Sequence, residues 1–214
     1  MSITTRPATS SDADFIAWVM QEASRSHLPK GVWDLAFPGP DEERLAILAK
    51  IASSDRVHFA HTSLFRILEV DGERAVAMCG YECGEHGLEQ LTLGMAEVLQ
   101  QLGWTPSQLV ALGERTSSFA ATGYVNPDGL WIVEWVATVP EFRGRGLVRK
   151  LLLEVLEEGR QRAFTLAQIG YLLGNVRAKS AYEGVGFKWL EDHCHPSFEA
   201  DYGEPGIARM QRDL

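Results

Sequence analysis

The sequence predicts a mixed α/β fold of the α+β kind, and three observations carry that prediction. Apolar strand-like segments at residues 63–70 and 75–82 flank the pair Asp71-Gly72, which is the pattern of a β-hairpin. From about residue 84 to 130 the apolar spacing lengthens to that of helices, so a helical block interrupts the strands. An apolar strand at Trp131 to Val139 then passes through Pro140 and a glycine loop into an amphipathic helix.

Taken in order, residues 3–7 (ITTRP) read as a short strand. Ser11 and Asp14 stand three apart, as in a capping box that opens a helix through about Arg25. A stretch rich in Pro and Gly, Leu28 to Pro40, breaks the pattern before a second helix from Asp41 to about Ser53. The hairpin follows. Within the helical block Leu91, Met95, Val98, Leu99 and Leu102 share one apolar face. Beyond the strand at 131–139 come a helix from Leu147 to about Ala163, a strand at Ala167–Leu173 and a helix at Arg177–Gly184. Strands at Phe187–Glu191 and Ile207–Arg212 close the chain. His193, Cys194 and His195 lie together ahead of Pro196 without a matching set of ligands, so they read as a loop and no metal is expected. A chain of 214 residues without internal repeats suits one domain over 1–214.

Composition narrows the function classes. Hydrophobic residues make up 45% and charged residues 23%, the proportions of a folded globular chain. A net charge of -9 without any long Lys/Arg run argues against nucleic acid as a partner. The longest mostly apolar run, 131–139, is under half a membrane span and contains Glu134, and the N-terminal residues lack the pattern of a secretory signal. Three cysteines, Cys79, Cys83 and Cys194, cannot all pair within the chain. The expectation is a soluble, cytoplasmic protein.

The segment RGRG, Arg143 to Gly146, precedes a helix whose residues Val148, Leu151, Leu152, Val155 and Leu156 fall on one face. A helix start offers free N–H groups and the positive end of the dipole to an anion. Gly144 and Gly146 let the backbone approach a phosphate, and Arg143 and Arg145 add charge. A plain turn would explain the glycines alone. The GxGxxG spacing of a dinucleotide loop is not met, since Arg149 stands at the third glycine's place, and no Walker loop is present.

Arg143 to Val148 resembles the first signature of the GCN5-related N-acetyltransferases (GNAT), which is Gln or Arg, two residues, Gly, one residue, then Gly or Ala. Val148 departs from it. About thirty residues downstream NVRAKSAYEGVGF is similar to the family's second signature, with Asn175, Ala178, Tyr182, Gly186 and Phe187 at its spacing. The resemblance implies a central, mostly antiparallel sheet flanked by helices, with residues 84–130 as a helical insertion. It implies transfer of an acetyl group from acetyl-CoA to an amine-bearing acceptor, a small molecule or peptide, by direct attack in a ternary complex. Arg143, Gly144, Arg145, Gly146, Leu147 and Val148 would hold the pyrophosphate, and the backbone of Val136, Ala137 and Thr138 would pair with the pantetheine arm. Tyr182 would serve the departing sulfur, and Asn175 would hold the arm or cap its helix. A homodimer is left open.

A general base is harder to name from the residues. Glu134, the lone carboxylate of an apolar strand where burial would raise its pKa toward the working range, is the first candidate, with a solvated or ion-paired side chain as the alternative reading, and Glu82 is second choice. Trp18, Trp33 and Trp104 read as core or lid anchors, with Trp33 also placed to line an acceptor pocket. Acceptor contacts fall to the loops around 26–40 and to the 84–130 block, which would form a wall or lid beside the entrance. The rival reading is a module that binds acyl-CoA without turnover.

Overall fold

Seven strands carry the chain's apolar period-two segments into one sheet. They are β1 (Ile3–Pro7), β2 (Phe65–Val70), β3 (Glu73–Glu82), β4 (Trp131–Thr138), β5 (Leu166–Leu172), β6 (Lys188–Cys194) and β7 (Gly206–Asp213). They come from a computed structural model that describes residues 2–214. The strand order is β1-β2-β3-β4-β5-β7-β6, and every neighbouring pair is antiparallel except β4 with β5. The β2–β3 turn is made by Asp71 and Gly72, both at positive φ (51° and 86°), the geometry that matches strand twist in a two-residue hairpin.

The helices α1 (Ala13–Arg25), α2 (Val32–Ala36) and α3 (Asp41–Ala52) lie between β1 and β2 in the chain. The capping box that opens this region is Thr9 with Asp12, leading into a 3-10 turn at Ser10–Asp12, not Ser11 with Asp14 as the sequence suggested. Both pairs have the required spacing. Arg6 decides between them, because its guanidinium donates to both Asp12 oxygens at 2.7 and 2.9 Å and fixes that carboxylate beside the cap.

The 84–130 block is helical as expected, with α4 (Cys83–His86), α5 (Leu88–Gln101), α6 (Pro106–Arg115) and α7 (Ser117–Ala121). After β4 come α8 (Leu147–Gln161) and, beyond β5, α9 (Val176–Glu183). The expected loop at His193–His195 is a correction. β6 runs through Cys194, and His195 caps a further helix, α10 (Pro196–Tyr202), its Nδ1 accepting from Ser197 N–H at 3.2 Å. Pro196 at the first helical position is pre-set for a helix and loses no needed N–H there.

Two cores form on the two faces of the sheet. One packs α1, α3 and α5 residues such as Ile16, Leu48 and Leu99 against Ile67 and Ile132. The other packs Leu151, Leu152 and Val155 of α8 against Met78, Val133 and Ile169. No helix among the described residues is long and apolar enough to cross a membrane.

Trp131 is the largest fully buried side chain, and its Nε1–H donates to Val155 O at 2.9 Å. Two glycines make room for it, since a Cβ on Gly80 or Gly159 would stand 2.5 Å from the indole. Gly80→Ala is therefore expected to destabilise the protein by about 1–3 kcal/mol through overpacking, to be read from the urea midpoint.

Candidate active site

The parallel pairing of β4 with β5 is short. It joins Trp131 to Ala167, Ile132 to Gln168 and Val133 to Ile169, and no pair follows among the described residues. β5 nevertheless continues to Leu172, paired with β7, and β4 continues to Thr138, paired with β3. From Glu134 and Gly170 onward the two strands part and leave a fork in the sheet, with backbone edges on both sides lacking a partner strand. Val136, Ala137 and Thr138 lie on one prong.

A bulge shapes that prong. The β3–β4 register slips between Ala77 and Cys79, and Trp135 takes φ 55°, in the left-handed region that costs a bulky residue. Packing holds it there, with Trp33 and Phe59 stacked on the Trp135 ring at centroid distances of 5.7 and 5.9 Å. Trp33 is thus part of the core facing the fork. α2, which carries it, is tied down by Arg25 to its Asp34 at 2.7 Å, the same guanidinium reaching Asp41 of α3 at 2.7 Å, and by Arg115 of α6 to Leu35 O and Ala36 O.

β4 leads through a short 3-10 turn at Pro140–Phe142 into the glycine loop and α8. Gly144 and Gly146 have φ 77° and 72°, and Gly146 is the N-cap of α8. An added Cβ at either would meet nothing within 4 Å, so the space beside the loop is open. The first turn closes with Lys150 N–H to Gly146 O at 3.3 Å. The N–H groups of Leu147 and Val148 precede it and point out of the open end of the helix. Leu147 itself is buried in the α8 core. Arg143 Nε donates to Thr138 O at 3.1 Å while its guanidinium pairs with Glu22 of α1 at 3.5 Å, and Arg145 donates to Glu141 O at 2.8 Å with its guanidinium over the Phe142 ring. An open cradle of left-handed glycines at a helix start, in line with an unpaired strand edge, fits a pyrophosphate followed by an extended arm.

Gly146→Val is expected to cut acetyl-CoA affinity by at least tenfold, because the side chain would fill that cradle and strain a left-handed position. The loss would show as a reduced thermal shift at fixed acetyl-CoA concentration.

Glu134 is the first β4 residue past the last β4–β5 pair. It keeps partial solvent access, yet dense protein around its carboxyl pushes the pKa up to about 7, against hydrogen bonds from Asn126 and Tyr81 that favour the ionised form. Asn126 Nδ2 donates to Glu134 Oε1 at 2.6 Å. Glu82 is occupied otherwise. It caps α4, accepting from Gly84 and Glu85 N–H at 3.0 and 2.7 Å and from Gly129 N–H at 3.2 Å. Burial works against its ionisation, but those backbone donors prevail and hold it below the ordinary value.

Tyr182 is buried on α9 against Tyr171 and Phe187, and its hydroxyl makes no hydrogen bond among the described residues. Burial raises its pKa, so the phenol stays neutral. Asn175 caps α9, accepting from Ala178 N–H at 3.0 Å, while its Nδ2 donates to Ser26 Oγ at 2.5 Å.

Residues outside the motifs complete the fork. Tyr124 lies over Gly170, whose missing Cβ would stand 2.4 Å from the phenol oxygen. Arg209 of β7 is stacked on the Tyr124 ring at 5.0 Å and donates to Val125 O at 2.6 Å. The sequence signal for Tyr124 is Gly170 in the interior of a strand, which marks a close approach by another group. Cavities of 380 Å³ beside Lys50 and Glu97, and 340 Å³ beside Trp189 and Arg212, lie away from this fork.

The splayed parallel pair and the glycine cradle, set in a mixed sheet, make a site for a phosphate-bearing ligand with an extended arm. The acetyltransferase (GNAT) family profile matches residues 53–187, more than half of the chain, and the chain belongs to that family of acetyl-CoA-dependent acetyltransferases. An acetyltransferase crystal structure superposes at TM-score 0.71 with 19% identity, covering 99% of each chain. An N-acetyltransferase from Staphylococcus aureus Mu50 gives 0.68 and 19%, covering 98% of this chain and 100% of the other. A Salmonella typhimurium protein solved with its cofactor acetyl-CoA gives 0.54 and 14%, covering 100% and 95%. At these identities the likeness is one of fold. No curated protein sequence matches the chain.

Proposed function

We propose that the protein transfers an acetyl group from acetyl-CoA to a primary amine of a small molecule or peptide, by direct attack while both substrates are bound. The observation that carries this reading is the place of Glu134, a carboxyl able to exchange a proton near neutrality at the apex of the fork. When bound, acetyl-CoA supplies the acetyl group as a thioester.

The N–H groups at Gly146, Leu147 and Val148 and the cradle of Gly144, with Arg143 and Arg145 nearby, hold the pyrophosphate. The prong at Val136, Ala137 and Thr138 guides the arm toward Glu134, and Asn175 sets the start of α9. Glu134 takes the amine's proton, directly or through one water, and Tyr182 gives its hydroxyl proton to the leaving sulfur. A sensor needs neither group, which makes the enzyme the better account of a carboxyl tuned this way.

The test is a panel of amines with acetyl-CoA as donor, comprising a diamine, an amino sugar, free amino acids and a short peptide, read as CoA release. Turnover with one class is expected. Binding of acetyl-CoA with no release across the panel would favour the sensor.

A further inference from the structure

Glu134 does not stand alone at the fork. It ends a chain of three amides that begins on β7 and crosses the seam between β5 and β4. Gln211 of β7 donates through Nε2 to Gln168 Oε1 at 3.1 Å, and Gln168 of β5 donates through Nε2 to Asn126 Oδ1 at 2.8 Å. Asn126 then donates through Nδ2 to Glu134 Oε1 at 2.6 Å and to Tyr81 Oη at 3.0 Å. Gln168 is fully buried, so its amide has no water to turn toward. The Gln168 and Asn126 carbonyl oxygens each accept from the amide behind, and the carboxylate, which when ionised can only accept, takes the NH2 end of Asn126.

We infer that Asn126, oriented by Gln168 and Gln211, is a positioning residue that the helical insertion supplies to the catalytic carboxylate. It donates to Glu134 Oε1 while the Tyr81 hydroxyl bonds the same carboxyl, and together they fix the orientation in which the carboxylate meets the proton of the incoming amine. The insertion reaches the site through a side chain as well as by covering it. Arg209, clamped on Val125 O and Tyr124, anchors the segment that carries Asn126. The inference rests on the assignment of Glu134 as base.

The groups facing Glu134 are Cys79 and Tyr81 on β3, Cys83 on α4 and Tyr124 ahead of β4. Burial raises each of these acids, Cys83 to about 11, so all four are neutral near pH 7. On β7 the Arg209 guanidinium is paired with Glu191. Around neutrality the ionised carboxylate is therefore supported by hydrogen bonds, from Asn126 first and from Tyr81 second.

The test is a carbon-13 NMR titration of the Glu134 carboxyl in the full chain labelled at glutamate, assigned by its loss in Glu134→Gln. In Asn126→Ala the midpoint is expected to rise by about one pH unit or more, the worth of one hydrogen bond to a charged group. Gln168→Leu should raise it by less, since Asn126 stays but is free to turn. If Asn126→Ala does not fold, Asn126→Asp serves. A carboxylate held at Oε1 would share a proton with Glu134 and split the titration into two coupled steps. An unmoved midpoint in folded Asn126→Ala, or independent titration of the new Asp, would overturn the inference. The base assignment fails by a different sign, namely turnover retained by Glu134→Gln in the amine panel.

Discussion

Replacing Tyr182 with Phe is expected to lower kcat by about a hundredfold or more while leaving acetyl-CoA affinity close to that of the parent. The phenol is buried and neutral and has no hydrogen-bond partner among the described residues, which leaves its proton free for the sulfur that the proposed mechanism sets beside it. The ring contacts with Tyr171 and Phe187 survive in Phe, which makes the variant a clean deletion of the donor. Stability should change little, because no bond of the hydroxyl is lost. The two constants are read by initial rates and by calorimetric titration. A normal kcat under conditions where chemistry limits the rate would reduce Tyr182 to packing.

Glu134→Gln should be at least as damaging, lowering kcat/KM at pH 8 by about a hundred- to ten-thousandfold. In the parent, kcat/KM is expected to rise with pH through about 7 as the carboxyl ionises, and the variant should lack that limb. Stability moves the other way. The carboxyl's folded-state pKa lies above its ordinary 4.5, so the folded state favours the protonated form. That contribution is complete below the ordinary value and is lost as pH rises through about 7. Gln cannot ionise and keeps it. The variant should therefore be more stable than the parent at pH 9, by at most about 3 kcal/mol, and nearly level with it at pH 4, as read from urea midpoints. An acidic limb persisting in the variant would place the base elsewhere.

What the sequence revealed of this site was local. Arg143 to Val148 and Asn175 to Phe187 announce a loop and a helix because their glycines, cap and spacing act within one turn of chain. Glu134 stood out as a carboxylate in an apolar strand. Asn126 did not, because its partners Glu134, Gln168 and Tyr81 are brought to it only when the fork forms. The bulge at Trp135 was equally hidden, since nothing about a tryptophan foretells a left-handed backbone, and the stacking of Trp33 and Phe59 that enforces it is tertiary. α10 had local signals, with Pro196 at its first position and Phe198 and Tyr202 four apart. A supposed loop of His, Cys and His obscured them.

The three-pair ladder between β4 and β5 also has a mechanical meaning. In backbone terms the sheet is two plates, β1 to β4 and β5 with β7 and β6, joined by a seam at one end and free at the other. The aperture between them is governed by what bridges the gap: the amide chain ending at Asn126, the Tyr124 phenol wedged over Gly170, and any guest laid along the prong. Such a guest would act as a brace, borrowing rigidity from both plates and returning it to the whole molecule.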